Sequence, residues 1–396
     1  MSAVDDRLFT PRFFVMCGFS FTVFLSALQL LPTAPFHIHE LGGTTAQAGL
    51  FLGLLTYASA LSAPITGAFA DRVGRTRLLL VSSLAIAGFS MLYAVAPTVL
   101  LLLVLVPIHG VVWSGLLSAS AAYMTSLLPP SRRAEGIGYW GLSSVLALAV
   151  APPIGFWIYR FGWFWLCLFA AALNLVMAAI ATQLEETPRA RPIEHHRPGW
   201  VEWRVLLLSL PLFLYSFAYG GITSFSALFA DALGVTPKSI YLTTLAIVIL
   251  VTRPFLGALG DRVGYRKVFV PCLVLITLGL VLLALARGRT GLILSAIVFG
   301  IGFGTAYPVF AAYVTHGVHE ARRGAAFGAI LAAFDTGIGS GSTALGWLAG
   351  RFGFPSAFAV AAALSALALP AFLYADRLAH PRAAAEAAAA PPAPEI

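Results

Sequence analysis

Two ionisable residues, Asp335 and Arg253, and one histidine, His109, stand inside long apolar runs of this 396-residue sequence. Ionisable groups placed in such runs are costly and point to function by default. An aspartate there can take up and release protons, and an arginine close by lowers its pKa while desolvation raises it. Arg253 lies eight residues before Asp261, so about 12 Å into its run at 1.5 Å per residue of helix. Asp335 lies twelve residues past Arg323, about 18 Å in, and an arginine stem can snorkel across the difference. Two readings follow. Asp335 is a proton carrier whose pKa Arg253 biases, with Arg253 also free to contact a bound molecule, or the two form a static ion pair joining two helices. His109 divides in the same way: an imidazole with an unperturbed pKa near 6.5 suits a proton switch, and a hydrogen-bonded packing histidine is equally consistent.

Composition sets the surroundings of these residues. Hydrophobic residues make up 59% of the chain and charged residues 10%, with a mean hydropathy of +0.89. A water-soluble globule carries about 25% charged residues, so the apolar excess must face lipid. The net charge of +8 forms no patch that would suit nucleic acid, because its members fall between apolar runs. Cys17, Cys167 and Cys272 all lie in apolar runs with no disulfide or metal-ligand spacing, and read as packing residues. The first run is longer than a signal core and lacks a small-x-small cleavage site, so it reads as a permanent span.

A membrane helix needs about 20 mostly apolar residues. Twelve such spans are predicted near 13–34, 45–69, 78–96, 98–127, 136–158, 163–184, 204–230, 239–260, 268–286, 291–315, 325–349 and 355–375. Several hold proline, including Pro107, Pro152, Pro153, Pro254 and Pro308, which is tolerated where neighbours or cavity water re-satisfy the backbone. With the N-terminus inside, the cytoplasmic segments carry eighteen Lys and Arg against five on the other face, with Arg253 inside a span. That bias places both termini in the cytoplasm. Trp163, Trp165 and Trp347 fall near span ends as interface anchors. The expected organisation is an N-terminal six-helix half over 1–184, a polar linker over 185–203, a C-terminal half over 204–376 and a disordered tail over 377–396.

The two halves are written from one template. Residues 67–78 read GAFADRVGRTRL and residues 257–268 read GALGDRVGYRKV, 190 positions apart. At the same offset Arg132-Arg133 matches Arg322-Arg323, and Gly110 matches Gly300. Internal repeats set architecture. Six spans written twice keep one orientation, and two parallel halves about an axis along the membrane normal is a transporter arrangement.

On these residues the chain resembles the major facilitator superfamily over about 10–378. The implied fold is an all-α membrane protein of twelve transmembrane helices in two parallel six-helix repeats. Its strongest motif is the loop after span 2, Gly67, Asp71, Arg72, Gly74 and Arg75, repeated after span 8 as Gly257, Asp261, Arg262, Gly264 and Arg266. Glycine permits close helix approach, and an aspartate is favoured against a helix N-terminus. The resemblance implies that Asp71 faces the start of span 11 and Asp261 the start of span 5, latching the halves shut on the inside. Positive-inside topology alone would account for the arginines but not for the aspartates and glycines.

The exporters of this family carry a glycine-rich motif in span 5 that ends in Gly-Pro-x-x-Gly-Gly. Here Gly138, Pro152 and Gly155 match, Ala147 and Ala151 replace glycines, and Phe156 replaces the last glycine. The match leans towards the drug:proton antiporter type, while Pro152-Pro153 could equally kink a packed helix. In span 4 the family's arginine position, three residues before a Gln-Gly pair, is Val106, and the pair itself reads His109-Gly110.

Gln29, Tyr57, Trp113, Trp140, Tyr215, Tyr219, Tyr307 and Phe334 are the candidate cavity liners. Aromatic faces with few polar tips suit an amphipathic organic molecule. Gly337 and Gly341 stand four apart for close packing. No Walker lysine follows them, so a nucleotide-driven pump is not indicated and no cofactor or metal is expected. The function implied is a monomeric, proton-coupled exporter of small organic compounds in a bacterial-type inner membrane. The alternative is an importer or facilitator of the same fold. A non-transporting sensor would need an added domain, and no serine-histidine, paired-aspartate or HExxH arrangement marks an enzyme.

Overall fold

A computed structural model describes residues 7–129, 132–186, 205, 208–256, 259, 263–316 and 323–379. Among them the chain forms α1 (Pro11–Glu40), α2 (Thr45–Val73), α3 (Arg75–Val95), α4 (Val99–Leu127), α5 (Arg133–Tyr159) and α6 (Trp163–Thr182). The second series is α7 (Leu210–Ala232), α8 (Ile240–Leu256), α9 (Tyr265–Ala284), α10 (Arg289–His316), α11 (Arg323–Phe352), α12 (Phe354–Ala366) and α13 (Ala368–Ala379). Every expected span coincides with a helix, except that the twelfth is divided between α12 and α13. Pro370 lacks the N–H that would bond to the carbonyl of Ala366, so the helical ladder breaks around Leu367.

Local sequence sets the helix starts. Thr10 accepts from the Phe13 N–H with Pro11 in the first turn, Thr44 and Gln47 form a capping box, and Thr98 accepts from the Leu101 N–H. Gly74 and Gly264, the paired glycines of the repeated loop, sit at φ 111° and 97°. That backbone region is strained for residues with a Cβ, so glycine there lets the chain turn from one helix directly into the next.

Ten of the described helices are long and apolar enough to cross a membrane, counting α12 and α13 as one, and α8 is a shorter apolar helix. Leu100, Phe255 and Leu285 are among the large apolar side chains left exposed, as a lipid solvent requires. α11 is long but rich in glycine, serine and threonine, and it packs against α2 and α7 in the middle of the bundle.

Packing repeats when six is added to each helix number. α1 lies on α5 and α6, as α7 does on α11 and α12; α3 lies on α4 and α6, as α9 does on α10 and α12. Between the repeats, α2 meets α11 and α5 meets α8. The α7–α11 crossing brings backbones together: a Cβ on Gly220 would stand 2.0 Å from the Ile338 oxygen, and one on Gly341 1.7 Å from the Phe217 oxygen.

The antiparallel α2–α11 pair is sealed at one end and splayed at the other. At the sealed end a Cβ on Gly49 would lie 2.3 Å from the Ser342 oxygen, and one on Gly346 2.8 Å from the Thr45 oxygen. Ser342 Oγ donates to the Gly49 carbonyl at 2.8 Å, and the Tyr57 and Ser340 hydroxyls lie 2.7 Å apart. At the same end Lys238 stands 4.5 Å above the Phe36 ring while pairing with Asp231 at 2.9 Å, which joins α1 to the α7–α8 turn. Continuing the α2–α11 register brings Gly67 level with Gly328. Among the described residues nothing lies within 4 Å of a Cβ on either one, or on Gly138.

Candidate functional site

A cavity of about 390 Å³ lies between the repeats. Its lining comes from both, and positions 190 apart recur around it: Trp113 with Phe303, Leu117 with Tyr307, Ser144 with Phe334, Val145 with Asp335, and Leu148 with Ile338. Duplication therefore gives one backbone surround with two different sets of side chains. Both repeats contribute aromatics, and the C-terminal repeat contributes Arg253 and Asp335.

The aromatic wall is continuous. Tyr219 stacks on Phe303 at 4.3 Å between centroids, Phe303 stands 6.3 Å from Phe334, and Phe334 is 5.1 Å from Tyr307. Phe24 and Trp113 meet edge to face at 6.0 Å on the other side. Offset and edge contacts of this kind pre-form an apolar surface.

Arg253 and Asp335 both line this cavity, and no ion pair joins them among the described residues. Arg253 reaches from α8 to α5, where its Nη2 would stand 3.3 Å from a Cβ on Gly141. The glycine leaves the room the guanidinium occupies. His109 lines the cavity from α4, stacked at 5.5 Å on Phe89, with Nδ1 3.0 Å from the Tyr93 hydroxyl and Nε2 unpartnered. Val106, where the family carries arginine, is fully buried in the apolar core. Gly110 lets α4 approach α2, since a Cβ there would lie 2.4 Å from the Leu55 oxygen.

Of the eight expected cavity liners, Trp113, Tyr219, Tyr307 and Phe334 line the cavity and four are held elsewhere. Gln29 is fully buried at the α1–α5 crossing, beside the space that Gly155 leaves, with both amide atoms unpartnered. Tyr57 bridges to Ser340 in the sealed α2–α11 contact. Trp140 donates to Ser20 Oγ at 2.6 Å between α5 and α1. Tyr215 is fully buried behind Phe303 at 5.9 Å. Helix periodicity names a helix but not its rotation about its own axis, and rotation decides which side chains face inward. Phe303 was missed, although the 190-residue offset from Trp113 points to it. In the helix 5 motif, Pro152 and Gly155 are buried and Gly138 faces open space.

Among the described residues, Arg75 and Arg266 of the repeated loops have partners within their own repeats. Gly257, Asp261, Arg262 and the Asp71 side chain lie outside the described residues. Arg72 closes α2, and Arg75 donates from Nη1 to the Ala122 carbonyl at 3.2 Å. Glu186, just after α6, accepts from the Arg75 N–H at 2.7 Å, the Thr76 N–H at 3.2 Å and the Thr76 hydroxyl, so a carboxylate sits on the N-terminus of α3. Asp376, 190 residues on, accepts from the Tyr313 hydroxyl and pairs with Arg266 at 3.2 Å. Neither acid was anticipated, because each falls at the edge of a span, and the same offset would have paired them.

Desolvation pushes the Glu186 carboxyl up, but its hydrogen bonds from Thr76 and Arg75 and the nearby Arg77 charge outweigh this and hold it below the usual value of 4.5. A depressed folded pKa means the docking contributes fully above about pH 4.5 and fades as pH falls through the folded value. Glu186→Gln is expected to lower thermal stability at pH 7 by about 0.5 kcal/mol, as for an exposed charge at a helix N-terminus. The difference from the parent should shrink in acid, which melting curves across pH 3 to 7 would show.

Among the described residues no cluster of three His, Cys, Asp or Glu is placed to hold a metal. The sequence profile of the Major Facilitator Superfamily matches residues 13–252 and 208–395. An uncharacterised MFS-type transporter of Escherichia coli K12, YhhS, is 25% identical over 363 residues, 89% of each chain. A second, from Burkholderia pseudomallei strain 1106a, is 27% identical over 375 residues, 90% of each. Among solved structures, a bacterial homologue of the lysosomal transporter Spinster, inward-facing and occupied, superposes with a TM-score of 0.80 at 16% identity, covering 92% of this chain and 96% of that one. The nucleoside transporter NupG gives 0.73 at 17% identity, covering 93% and 100%. At such identities the likeness is one of fold.

Proposed function

The chain belongs to the Major Facilitator Superfamily, and from that premise we propose that it is a proton-coupled exporter of small amphipathic organic compounds, working by alternating access. The observation that carries this reading is one cavity between two repeats that holds a carboxyl and a guanidinium not paired to each other. Asp335 exchanges its proton with the cargo site, and Arg253 biases that exchange by approaching or leaving it. The aromatic wall takes the apolar body of the cargo.

The excess of basic residues puts the repeated loops and both termini in the cytoplasm of a bacterial-type inner membrane. On that orientation the sealed α2–α11 end faces outward and the splayed end inward, so the cavity stands ready to load from inside. The likeness to an inward-facing structure supports the same state. The Asp71 and Asp261 latches belong to the opposite state, when α2 closes on α11 and α8 on α5 at the cytoplasmic end. The protein works as a monomer.

Inside-out vesicles test the direction. Acidifying the lumen is expected to drive uptake of cargo against its gradient. Uptake that follows only the cargo's own gradient, or that needs acid outside the vesicle, would replace export with facilitation or import.

A further inference from the structure

We infer that the cargo is an amphipathic zwitterion, an amino-acid-like molecule whose acid group is held by Arg253 and whose ammonium is held by Asp335. This rests on the reading that the central cavity is the cargo site, and it names what that site is built to accept.

The charge pattern of the lining carries the inference. A guanidinium keeps its proton at every accessible pH, so Arg253 requires an acceptor wherever it is enclosed. The cavity supplies no carboxylate paired with it among the described residues, and Gly141 gives it room without a partner. Asp335, which lines the same cavity from α11, is also without an ion pair among the described residues. Two opposite charges in one enclosure that do not neutralise each other are each left to a third party. A cation alone would satisfy Asp335 and be repelled by Arg253. An anion alone would satisfy Arg253 and be repelled by ionised Asp335. A molecule with both charges satisfies both, and the site with its cargo is then neutral overall.

The rest of the lining fits the body of such a molecule. Tyr219, Phe303 and Phe334 form an aromatic wall beside the charged pair. His109 also lines the cavity and has an unpartnered Nε2, a polar atom left for the cargo's head group. The volume of about 390 Å³ suits one medium-sized organic molecule. The titratable groups that share the cavity with Asp335 are Arg253 of α8, Tyr307 of α10, Tyr219 of α7, His109 of α4 and Tyr93 of α3, so among the described residues Asp335 is the one carboxyl there that a proton and an ammonium can contest. Either the proton or the amine occupies it, which is the competition that exchange requires.

A matched indole series tests this at equilibrium on the purified full chain, without any gradient. Tryptophan carries both charges, indole-3-propionate the acid alone and tryptamine the amine alone. Thermal stabilisation by each gives an apparent affinity. Tryptophan is expected to bind about tenfold more tightly than either single-charge analogue, as one charged contact supports. In Asp335→Asn tryptophan should fall to the level of indole-3-propionate, and in Arg253→Gln to the level of tryptamine. Arg253→Lys should restore the preference, and the unliganded melting temperatures show that the variants are folded.

Tryptamine or indole-3-propionate matching tryptophan on the parent protein overturns the inference, as does the absence of stabilisation by all three. If the pattern holds but an acidic lumen drives no uptake, proton-coupled export fails while the zwitterion site stands. If acid-driven uptake is seen with other cargo but the pattern fails, only the zwitterion is lost.

Discussion

Asp335→Asn is expected to leave the protein folded and able to bind aromatic cargo, while abolishing accumulation driven by a pH gradient. One pH unit supplies about 1.4 kcal/mol per proton, enough for about tenfold accumulation in a one-for-one exchange. Asparagine keeps the volume and can still donate and accept hydrogen bonds, but it cannot take up a proton. The tenfold ratio should therefore collapse to unity, with exchange of labelled for unlabelled cargo still measurable. The position matters because Asp335 is the carboxyl of the cavity lining. Glu186 and Asp376, the other conspicuous acids, are committed to their own loops. Intact pH-driven accumulation in Asp335→Asn would take the carrier role from Asp335 and leave His109 as the titratable candidate of the lining.

Gly49→Val is expected to shift the protein towards its other state without unfolding it. A Cβ on Gly49 would lie 2.3 Å from the Ser342 oxygen and 3.3 Å from the Gly346 Cα, so α2 and α11 cannot stay in contact at the sealed end. Overpacking of this kind costs about 1–3 kcal/mol, and it falls on a contact between the repeats. If that contact exists only in the state with this end closed, the population ratio moves by about 5- to 150-fold. Labelling of a cysteine placed at Thr45 should rise accordingly. Gly341→Val is the contrast. Its Cβ would meet the Phe217 oxygen at 1.7 Å inside one repeat, in packing that both states keep. It should lower the melting temperature and leave accessibility at Thr45 unchanged. Equal losses of stability from both variants, with no change in labelling, would mean that the sealed end never opens.

Much of this was legible in the sequence for physical reasons. Lipid demands apolar helices of fixed length, so the runs of apolar residues located the spans. A duplicated chain repeats its backbone, so the 190-residue offset that pairs Asp71 with Asp261 also pairs Trp113 with Phe303 and Glu186 with Asp376. Rotational phase was what the sequence withheld. α1, α2, α5 and α7 touch protein on several faces, and nothing in their apolar patterns separates a cavity wall from a helix crossing. Gln29, Tyr57, Trp140 and Tyr215 were assigned to the cavity on residue type alone, and contacts with Gly155, Ser340, Ser20 and Phe303 hold them elsewhere. Arg253 and Asp335 were placed at comparable depths by counting residues along the helix. Counting could not show whether they pair.

The most direct measurement is of two distances in one protein, by spin labels on a background with Cys17, Cys167 and Cys272 replaced. One pair joins Thr45 to Gly350 at the sealed end, and the other joins Gly67 to Gly328 at the splayed end. Across pH and cargo, a population should emerge in which the first distance lengthens while the second shortens. Two distances that never change, or that lengthen and shorten together, would contradict a cavity opened alternately to the two sides by rocking repeats.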